Sequence, residues 1–259
     1  MSKQVKIKAT LSENVNKLFR LETKLYHIII KNNDLKKYPI IINNFNRLEW
    51  LQQQIDWLQS VGQKNIHIID NASTYQPLLN YYKKVPATVY LLDKNVGHES
   101  FWKTHLHQRF GKYYHVYTDP DVLPDENTPT DFMSYFKNIL DKYPQIQKVG
   151  FGLQYNNLPD YYNQKEEVVK WESQFYENPV EPNIYKSKID TTFAMYRPGA
   201  AYQCWGQTLR TGNPYMLCHM PWYEDSNNLS KESQYYLQYV NACSSWIEND
   251  KLDYKIYTK

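Results

Sequence analysis

The chain has 259 residues, of which 42% are hydrophobic and 22% are charged, a balance typical of a globular protein and unlike that of a disordered one. The formal net charge is +3, but residues 1–38 carry nine Lys or Arg against three Asp or Glu. The rest of the chain is therefore mildly acidic, which argues against nucleic-acid binding. Cys204, Cys218 and Cys243 show neither zinc-ligand spacing nor a disulfide framework, which favours a reducing compartment. No signal peptide or membrane-spanning apolar run is present in the sequence, so a cytoplasmic protein is expected.

Residues 1–38 are predicted to form a separate piece. Apolar residues recur at helical spacing from Leu11 to Ile29, which predicts a basic amphipathic helix over residues 12–31. Such a helix would touch an anionic membrane surface or a second copy of the chain, or it would pack on its own domain. The sequence leaves these alternatives open.

From residue 39 onward, short apolar runs alternate with amphipathic segments. Strands are predicted over residues 40–45, 66–70 and 88–93 and before Asp119, with helices from Asn46 to Gly62, over 75–84 and over 99–110. Asn46 is expected to cap the first of these helices, and Glu49 to close a capping box. The alternation predicts an α/β fold, with a mostly parallel central sheet flanked by helices.

The second half of the chain is less regular. Helices are predicted over residues 131–142 and 230–241, and strands over 149–155 and 189–196. Residues 156–188 are rich in aromatic, acidic and turn-forming residues, which suggests an insertion over the site that serves as an acceptor-binding segment or a lid. Residues 199–229 are predicted to be irregular.

Polar residues follow each predicted strand of the first half. They are Asn43, Asn44, Asp70, Asn71, Asp93, Asn95, Asp119 and Asp121. Ligands of parallel α/β sheets bind beyond the carboxyl ends of the strands, so a shared site is expected at this edge. The carboxylates of Asp119 and Asp121 suit a hard divalent cation, and Pro120 between them makes the loop rigid. The chain has no Gly-x-Gly-x-x-Gly, P-loop or Gly-x-Ser-x-Gly motif, which disfavours dehydrogenases, P-loop kinases and serine hydrolases.

Taken in order, four segments resemble the nucleotide-sugar glycosyltransferases of the GT-A fold, particularly the family 2-like group. They are residues 39–47, the strand end at residues 69–73, the Asn95-x-Gly97 turn and Asp119-Pro120-Asp121. Residues 189–192 and 219–223 also look similar. The resemblance implies a Rossmann-like GT-A domain over residues 39–259, with a nucleotide-binding half (39–125) and an acceptor-binding half (126–259). It implies metal-dependent transfer of a hexose from a UDP- or GDP-type donor to a saccharide or lipid-linked acceptor, in surface glycan synthesis.

The resemblance also assigns expected roles to single residues. The residues expected to bind the nucleotide sugar are Asn44, Asp70, Asn71, Asn95, Gly97 and Asp119. The ligands of Mn²⁺ (or Mg²⁺) are expected to be Asp119, Asp121 and His219. A lone histidine is more often structural, so that role is the alternative for His219.

The acceptor side is less well determined by the sequence. An inverting transfer needs a carboxylate near the acceptor hydroxyl, and Asp190 is the first choice for this base. The pair Glu224 and Asp225 is the second. Trp222 and Tyr223 are expected either to stack on a sugar or to pack in the core. Two other functions remain open, a sugar-nucleotide nucleotidyltransferase and a non-catalytic binding or scaffold protein on a degenerate transferase fold.

Overall fold

A computed structural model describes residues 34–190, 192–202 and 204–240, so the predicted N-terminal helix lies outside the described residues. The strands are β1 (Ile40–Asn44), β2 (Ile66–Asp70), β3 (Thr88–Leu91), β4 (His115–Thr118), β5 (Val122–Pro124), β6 (Lys148–Gly150), β7 (Gly152–Leu153), β8 (Pro179–Glu181), β9 (Ile184–Lys186), β10 (Ala194–Tyr196), β11 (Thr208–Thr211) and β12 (Met216–His219). The helices are α1 (Glu49–Ser60), α2 (Gln76–Tyr82), α3 (Ser100–Lys103), α4 (His107–Phe110), α5 (Phe132–Lys142), α6 (Lys165–Ser173) and α7 (Lys231–Tyr239). Short 3-10 helices span Leu35–Lys37, Gln174–Tyr176 and Met220–Tyr223.

The strands form one large and one small sheet. The large sheet has the order β3-β2-β1-β4-β10-β6-β11-β9-β8, and the small one has the order β5-β12-β7. Strands β3, β2, β1 and β4 are mutually parallel, whereas β10 lies antiparallel between β4 and β6. This arrangement confirms the predicted α/β class with a mostly parallel central sheet flanked by helices.

The central strands are buried on both faces, as expected for parallel strands covered by helices. Ile40 and Ile42 of β1 belong to one core cluster together with Leu51 of α1. Ile41 belongs to a second cluster on the opposite face, where Phe101 packs. Alternate residues of one strand thus anchor both helical layers. Within the described part of the chain, none of the helices combines the length and apolar character needed to cross a membrane.

Several predicted elements differ from the structure. The helix predicted over residues 99–110 is divided into α3 and α4 because His105 adopts a positive φ of 62°. The strand predicted over 149–155 is divided between the two sheets, and the one over 189–196 shortens to β10. Residues 199–229, predicted to be irregular, contain β11 and β12.

The role of residues 156–188 as an acceptor-binding segment or lid stays a prediction, and Tyr161 of this segment donates to the carbonyl oxygen of Tyr223, after β12. The hairpin of β8 and β9 in this segment pairs with β11 and extends the far edge of the central sheet. Glu172 of α6 and Arg210 of β11 form an ion pair whose side chains are 5% and 3% exposed. This buried pair ties the segment to the sheet.

We expect Glu172→Ala to destabilise the protein by about 3–5 kcal/mol, because it leaves the buried Arg210 cation without its carboxylate. Urea unfolding followed by circular dichroism measures the change. Glu166→Ala, on the exposed face of the same helix, is the control and should shift the free energy by less than about 0.5 kcal/mol. Equal unfolding midpoints for the two variants would contradict the prediction.

Candidate functional site

The small sheet brings Asp121 next to His219. The Asp119-Pro120-Asp121 loop connects β4 to β5, and β5 pairs with β12 so that Val122 lies opposite His219. His219 Nε2 lies 3.7 Å from Asp121 Oδ2. Two of the predicted metal ligands, far apart in the sequence, are therefore neighbours in the fold.

Asp121 is buried and His219 is half-buried, and both side chains are incompletely hydrogen-bonded. Asp121 is 9% exposed, and neither its Oδ1 nor His219 Nδ1 has a hydrogen-bond partner among the described residues. Burial lowers the pKa of His219; the Asp121 carboxylate opposes this shift and the Arg47 cation adds to it. A neutral imidazole beside an unpartnered buried carboxylate oxygen is a donor set that fits Mn²⁺ or Mg²⁺.

The backbone of Asp119 is held by Gln54. Gln54 Nε2 donates to the carbonyl oxygens of Asp119 and Val122, each at 2.9 Å, and so fixes both ends of the loop from α1. The part of the chain that the structure describes contains no group of three or more His, Cys, Asp or Glu residues placed to share a metal ion. The structure thus joins Asp121 with His219, while the ligand role of Asp119 stays a prediction.

Asn44 and Asp70 occupy matching positions at the ends of β1 and β2. The Tyr82 hydroxyl donates to Asp70 Oδ2 at 2.7 Å and accepts from Asn44 Nδ2 at 2.8 Å. The backbone N–H of Ser73 donates to Asp70 Oδ1 at 2.9 Å. Asn44 and Asp70 are 0% and 1% exposed, so they shape the turn that follows β2. Their contact with a nucleotide stays a prediction.

The turn after β3 is tied to the same edge by Asn71. Asn71 Oδ1 accepts from the backbone N–H of Val96 at 3.1 Å, and its Nδ2 donates to Asn43 Oδ1 at 2.6 Å. Asn95 Oδ1 accepts from the backbone N–H of Gly97, whose φ of +80° favours glycine. Asn95 and Gly97 are exposed, which leaves the turn accessible to a ligand.

Asp190 lies at this edge as well. It directly precedes the segment leading into β10, and β10 is antiparallel to β4 with Ala194 opposite Tyr117. Asp190 is exposed, and its Oδ1 accepts from the Tyr202 hydroxyl at 3.2 Å. The pKa of Tyr202 is raised first by burial and then by neighbouring groups that include Asp190 and Asp119. The candidate base and the Asp119 end of the loop therefore act on one tyrosine.

The alternative base, Glu224, is engaged in local structure. Its Oε2 accepts from the Ser233 hydroxyl at 2.6 Å and its Oε1 from the backbone N–H of Ser230 at 3.1 Å, at the start of α7. Asp225 Oδ1 accepts from the backbone N–H of Asn227. These bonds make Glu224 a helix-positioning residue, and Asp190 keeps the more accessible carboxylate.

Of the two predicted acceptor residues, Trp222 has little exposed ring surface. Trp222 is 2% exposed, and its ring meets the imidazole of His219 edge-on at 4.7 Å between centroids. The Tyr223 hydroxyl donates to Asn157 Oδ1 at 2.6 Å. Trp222 therefore belongs to the core beside the candidate metal ligand, and sugar stacking by either residue stays a prediction.

Unpartnered buried polar atoms surround this edge of the sheet. The following buried side-chain atoms near this edge have no hydrogen-bond partner within residues 34–190, 192–202 and 204–240: Asn44 Oδ1, Asn46 Nδ2, Arg47 Nε and Nη2, Gln54 Oε1, Asp121 Oδ1, His219 Nδ1 and Trp222 Nε1. Buried polar atoms are normally paired, so their concentration indicates a site for a polar ligand.

No protein-family model and no curated protein matches the sequence. Among solved structures, the chain is similar to residues 1–349 of S. aureus TarS, with 13% identity, 70% of this chain and 60% of that chain covered, and a TM-score of 0.43. It is also similar to glucosyl-3-phosphoglycerate synthase from Mycobacterium tuberculosis in complex with phosphoglyceric acid, with 13% identity and a TM-score of 0.38. This match covers 61% of this chain and 56% of that chain. The chain thus spans 60% and 56% of the length of these two proteins.

The prediction that Asn46 and Glu49 form a capping box is wrong. Glu232 of α7 instead accepts from the backbone N–H groups of Leu48 and Glu49, at 2.8 and 3.0 Å from its Oε2. Asn46 has a positive φ of 50°, and its Oδ1 accepts from the backbone N–H of Thr74 at 2.8 Å. A distant carboxylate thus caps α1, and Asn46 organises the turn after β2.

Two residues at this site, Gln54 and Arg47, were not predicted from the sequence. Gln54 is fully buried within the apolar stripe of α1, and a polar residue at stripe spacing was the signal available in the sequence. Arg47 is 2% exposed and stacks on the rings of Trp50 and Tyr236, with its carbon Cζ 4.4 and 3.8 Å from their centroids. It donates from Nη1 to Ser233 Oγ at 2.7 Å. No local pattern predicts the burial of that cation.

Proposed function

We propose that the protein is a metal-dependent glycosyltransferase that moves a hexose from a UDP- or GDP-type nucleotide sugar to a saccharide or lipid-linked acceptor. The observation that carries this proposal is the pair of buried Asp121 and half-buried His219, with an unpartnered carboxylate oxygen in the described structure, at the carboxyl edge of a mostly parallel sheet. Ligand sites of such sheets lie at this edge. The exposed carboxylate of Asp190 at the same edge supplies a group that accepts a proton.

Asp121 and His219 would hold Mn²⁺ or Mg²⁺, and donor phosphates and water would complete its coordination. When bound, the ion neutralises the charge that develops on the departing nucleoside diphosphate. Gln54 and Pro120 keep the loop in one conformation, so that the carboxylate does not have to reorganise during the reaction.

Asp190 acts on the acceptor in a transfer that inverts the anomeric centre. Its carboxylate takes the proton of the acceptor hydroxyl as the new bond forms between the acceptor oxygen and the anomeric carbon of the sugar. The bond from that carbon to the diphosphate oxygen breaks, and the diphosphate leaves with the electron pair. Tyr202 donates to Oδ1 of Asp190 and orients the carboxylate, which leaves Oδ2 to take the proton.

Calorimetric titration tests the proposal directly. UDP and GDP are each titrated into the protein with Mn²⁺, with Mg²⁺ and with a chelator, and nucleotide-sugar donors are then screened by release of nucleoside diphosphate. We expect one nucleotide to bind at least about tenfold more tightly with the ion, a difference of roughly 1.4 kcal/mol. If neither nucleotide binds in a metal-dependent way, the protein is not such a transferase, and a non-catalytic role on this fold becomes the better explanation.

A further inference from the structure

An exposed tryptophan contacts the tyrosine that donates to the candidate base. Trp205 is 41% exposed, one of few large apolar side chains at that level in the described part of the chain. Its ring meets that of Tyr202 edge-on, with centroids 6.3 Å apart, and Tyr202 donates to Asp190. Tyr202 also packs against the rings of Trp102 and His98, at 4.9 and 5.6 Å. Tyr202 thus connects Trp205 to the Asp190 carboxylate, and the rings of Trp205 and Tyr202 are called the aromatic platform below.

A buried lysine lies against this platform. Lys148 is 0% exposed, and its Nζ lies 4.9 Å from the ring centroid of Trp205 and 5.6 Å from that of Tyr202. The same Nζ donates to the Tyr196 hydroxyl at 3.0 Å. An ammonium group against an aromatic ring is attracted to it most strongly when water is excluded. Lys148 therefore contacts the indole, while a large part of the ring stays open to solvent.

We propose that the aromatic platform is the acceptor subsite, where the indole of Trp205 stacks on the C–H face of a pyranose ring and a hydroxyl of that sugar points to Asp190. This proposal rests on the proposed function and adds the class of acceptor and the residue that binds it. A pyranose has an apolar face and polar edges. The indole ring suits the apolar face, and the carboxylate of Asp190 suits the hydroxyl groups at the edges. Tryptophan provides a large contact area and loses little conformational freedom on binding.

Saturation-transfer NMR tests the subsite without requiring turnover. The probes are the methyl α- and β-pyranosides of glucose, galactose, mannose and N-acetylglucosamine, with the aromatic protons of the protein irradiated. We expect saturation of the ring C–H protons of at least one probe in the wild type, a loss of most of that signal in Trp205→Ala, and its retention in Trp205→Phe. Where turnover is measurable, Trp205→Ala should raise the acceptor KM about tenfold with donor hydrolysis unchanged.

Tyr161→Ala is the matched control, because Tyr161 is 51% exposed and contacts the carbonyl oxygen of Tyr223 instead of Asp190. Equal saturation in the wild type and Trp205→Ala would overturn the proposal, as would a loss confined to Tyr161→Ala or no saturation of any probe. Saturation that depends on Trp205 in a protein without metal-dependent nucleotide binding would support the subsite and refute the transferase. The two proposals therefore fail separately.

Discussion

Asp121→Asn should reduce the rate of sugar transfer by about 10²–10³-fold or more while the fold is retained. The change keeps the size of the side chain and removes the charge that would hold the metal ion beside His219. Without that charge, the diphosphate would leave with its developing negative charge poorly neutralised. Release of nucleoside diphosphate at saturating donor and Mn²⁺ measures the rate, and calorimetry should show that metal-dependent nucleotide binding is lost.

Glu126→Gln is the matched control for this experiment. It removes a carboxylate that is exposed and lies shortly after the same loop, and it should leave turnover within about twofold of the wild type. Thermal unfolding provides an independent readout. Because Asp121 is a buried carboxylate with an unpartnered oxygen in the described structure, Asp121→Asn should melt at the same temperature or higher. Turnover equal to that of the wild type would refute the metal role.

The first half of the fold could be predicted from the sequence because its signals are local. Each parallel strand is a short apolar run, each helix has its own stripe, and the polar residues that follow the strands mark the edge where ligands bind. Asn44, Asp70 and Asp119 lie at this edge as expected, because they follow parallel strands that are neighbours in the sheet. The contacts of Asn44 and Asp70 could not be predicted, since the Tyr82 hydroxyl that bonds to both side chains comes from α2.

The second half depends on pairings between distant segments. β11 contains a buried arginine, which interrupts the apolar pattern, and its burial is explained by Glu172 on α6 and by the ring of Phe175. β12 is recognised as a strand only once β5 and β7 flank it. The same reason applies to Glu232 of α7, which caps α1 in place of the predicted local capping box. In each case a long-range partner overrides what neighbouring residues in the sequence indicate.

Lys148 and Trp205 show the same limit at the acceptor side. In the sequence, Lys148 directly precedes the strand predicted over residues 149–155, and Trp205 lies in the segment predicted to be irregular. Only the fold encloses the lysine among Tyr196, Tyr202 and Trp205. The exposed ring, the buried cation against it and the Asp190 carboxylate that Tyr202 contacts therefore become a single arrangement only in three dimensions.

Asp190→Asn should lower kcat by about 10²–10⁴-fold while the affinity for the donor nucleotide is unchanged. The amide preserves the shape of the side chain and its contact with Tyr202 but has no carboxylate to take the acceptor proton. In the proposed function, nucleotide binding depends on the metal held by Asp121 and His219 and not on Asp190, and calorimetry measures it. Tyr202→Phe should give a smaller loss of kcat, because it removes only the hydroxyl that orients the carboxylate.

Asp225→Asn separates this assignment from the alternative base. Asp225 follows the helix-positioning Glu224 and accepts a bond from a neighbouring backbone N–H, so its substitution should leave kcat within about twofold of the wild type. Hydrolysis of the donor by water gives a further distinction. If Asp190 serves the acceptor, Asp190→Asn reduces transfer more than it reduces hydrolysis at high pH, where hydroxide needs no base. A wild-type rate in Asp190→Asn combined with a large loss in Asp225→Asn would move the catalytic base to the segment after β12.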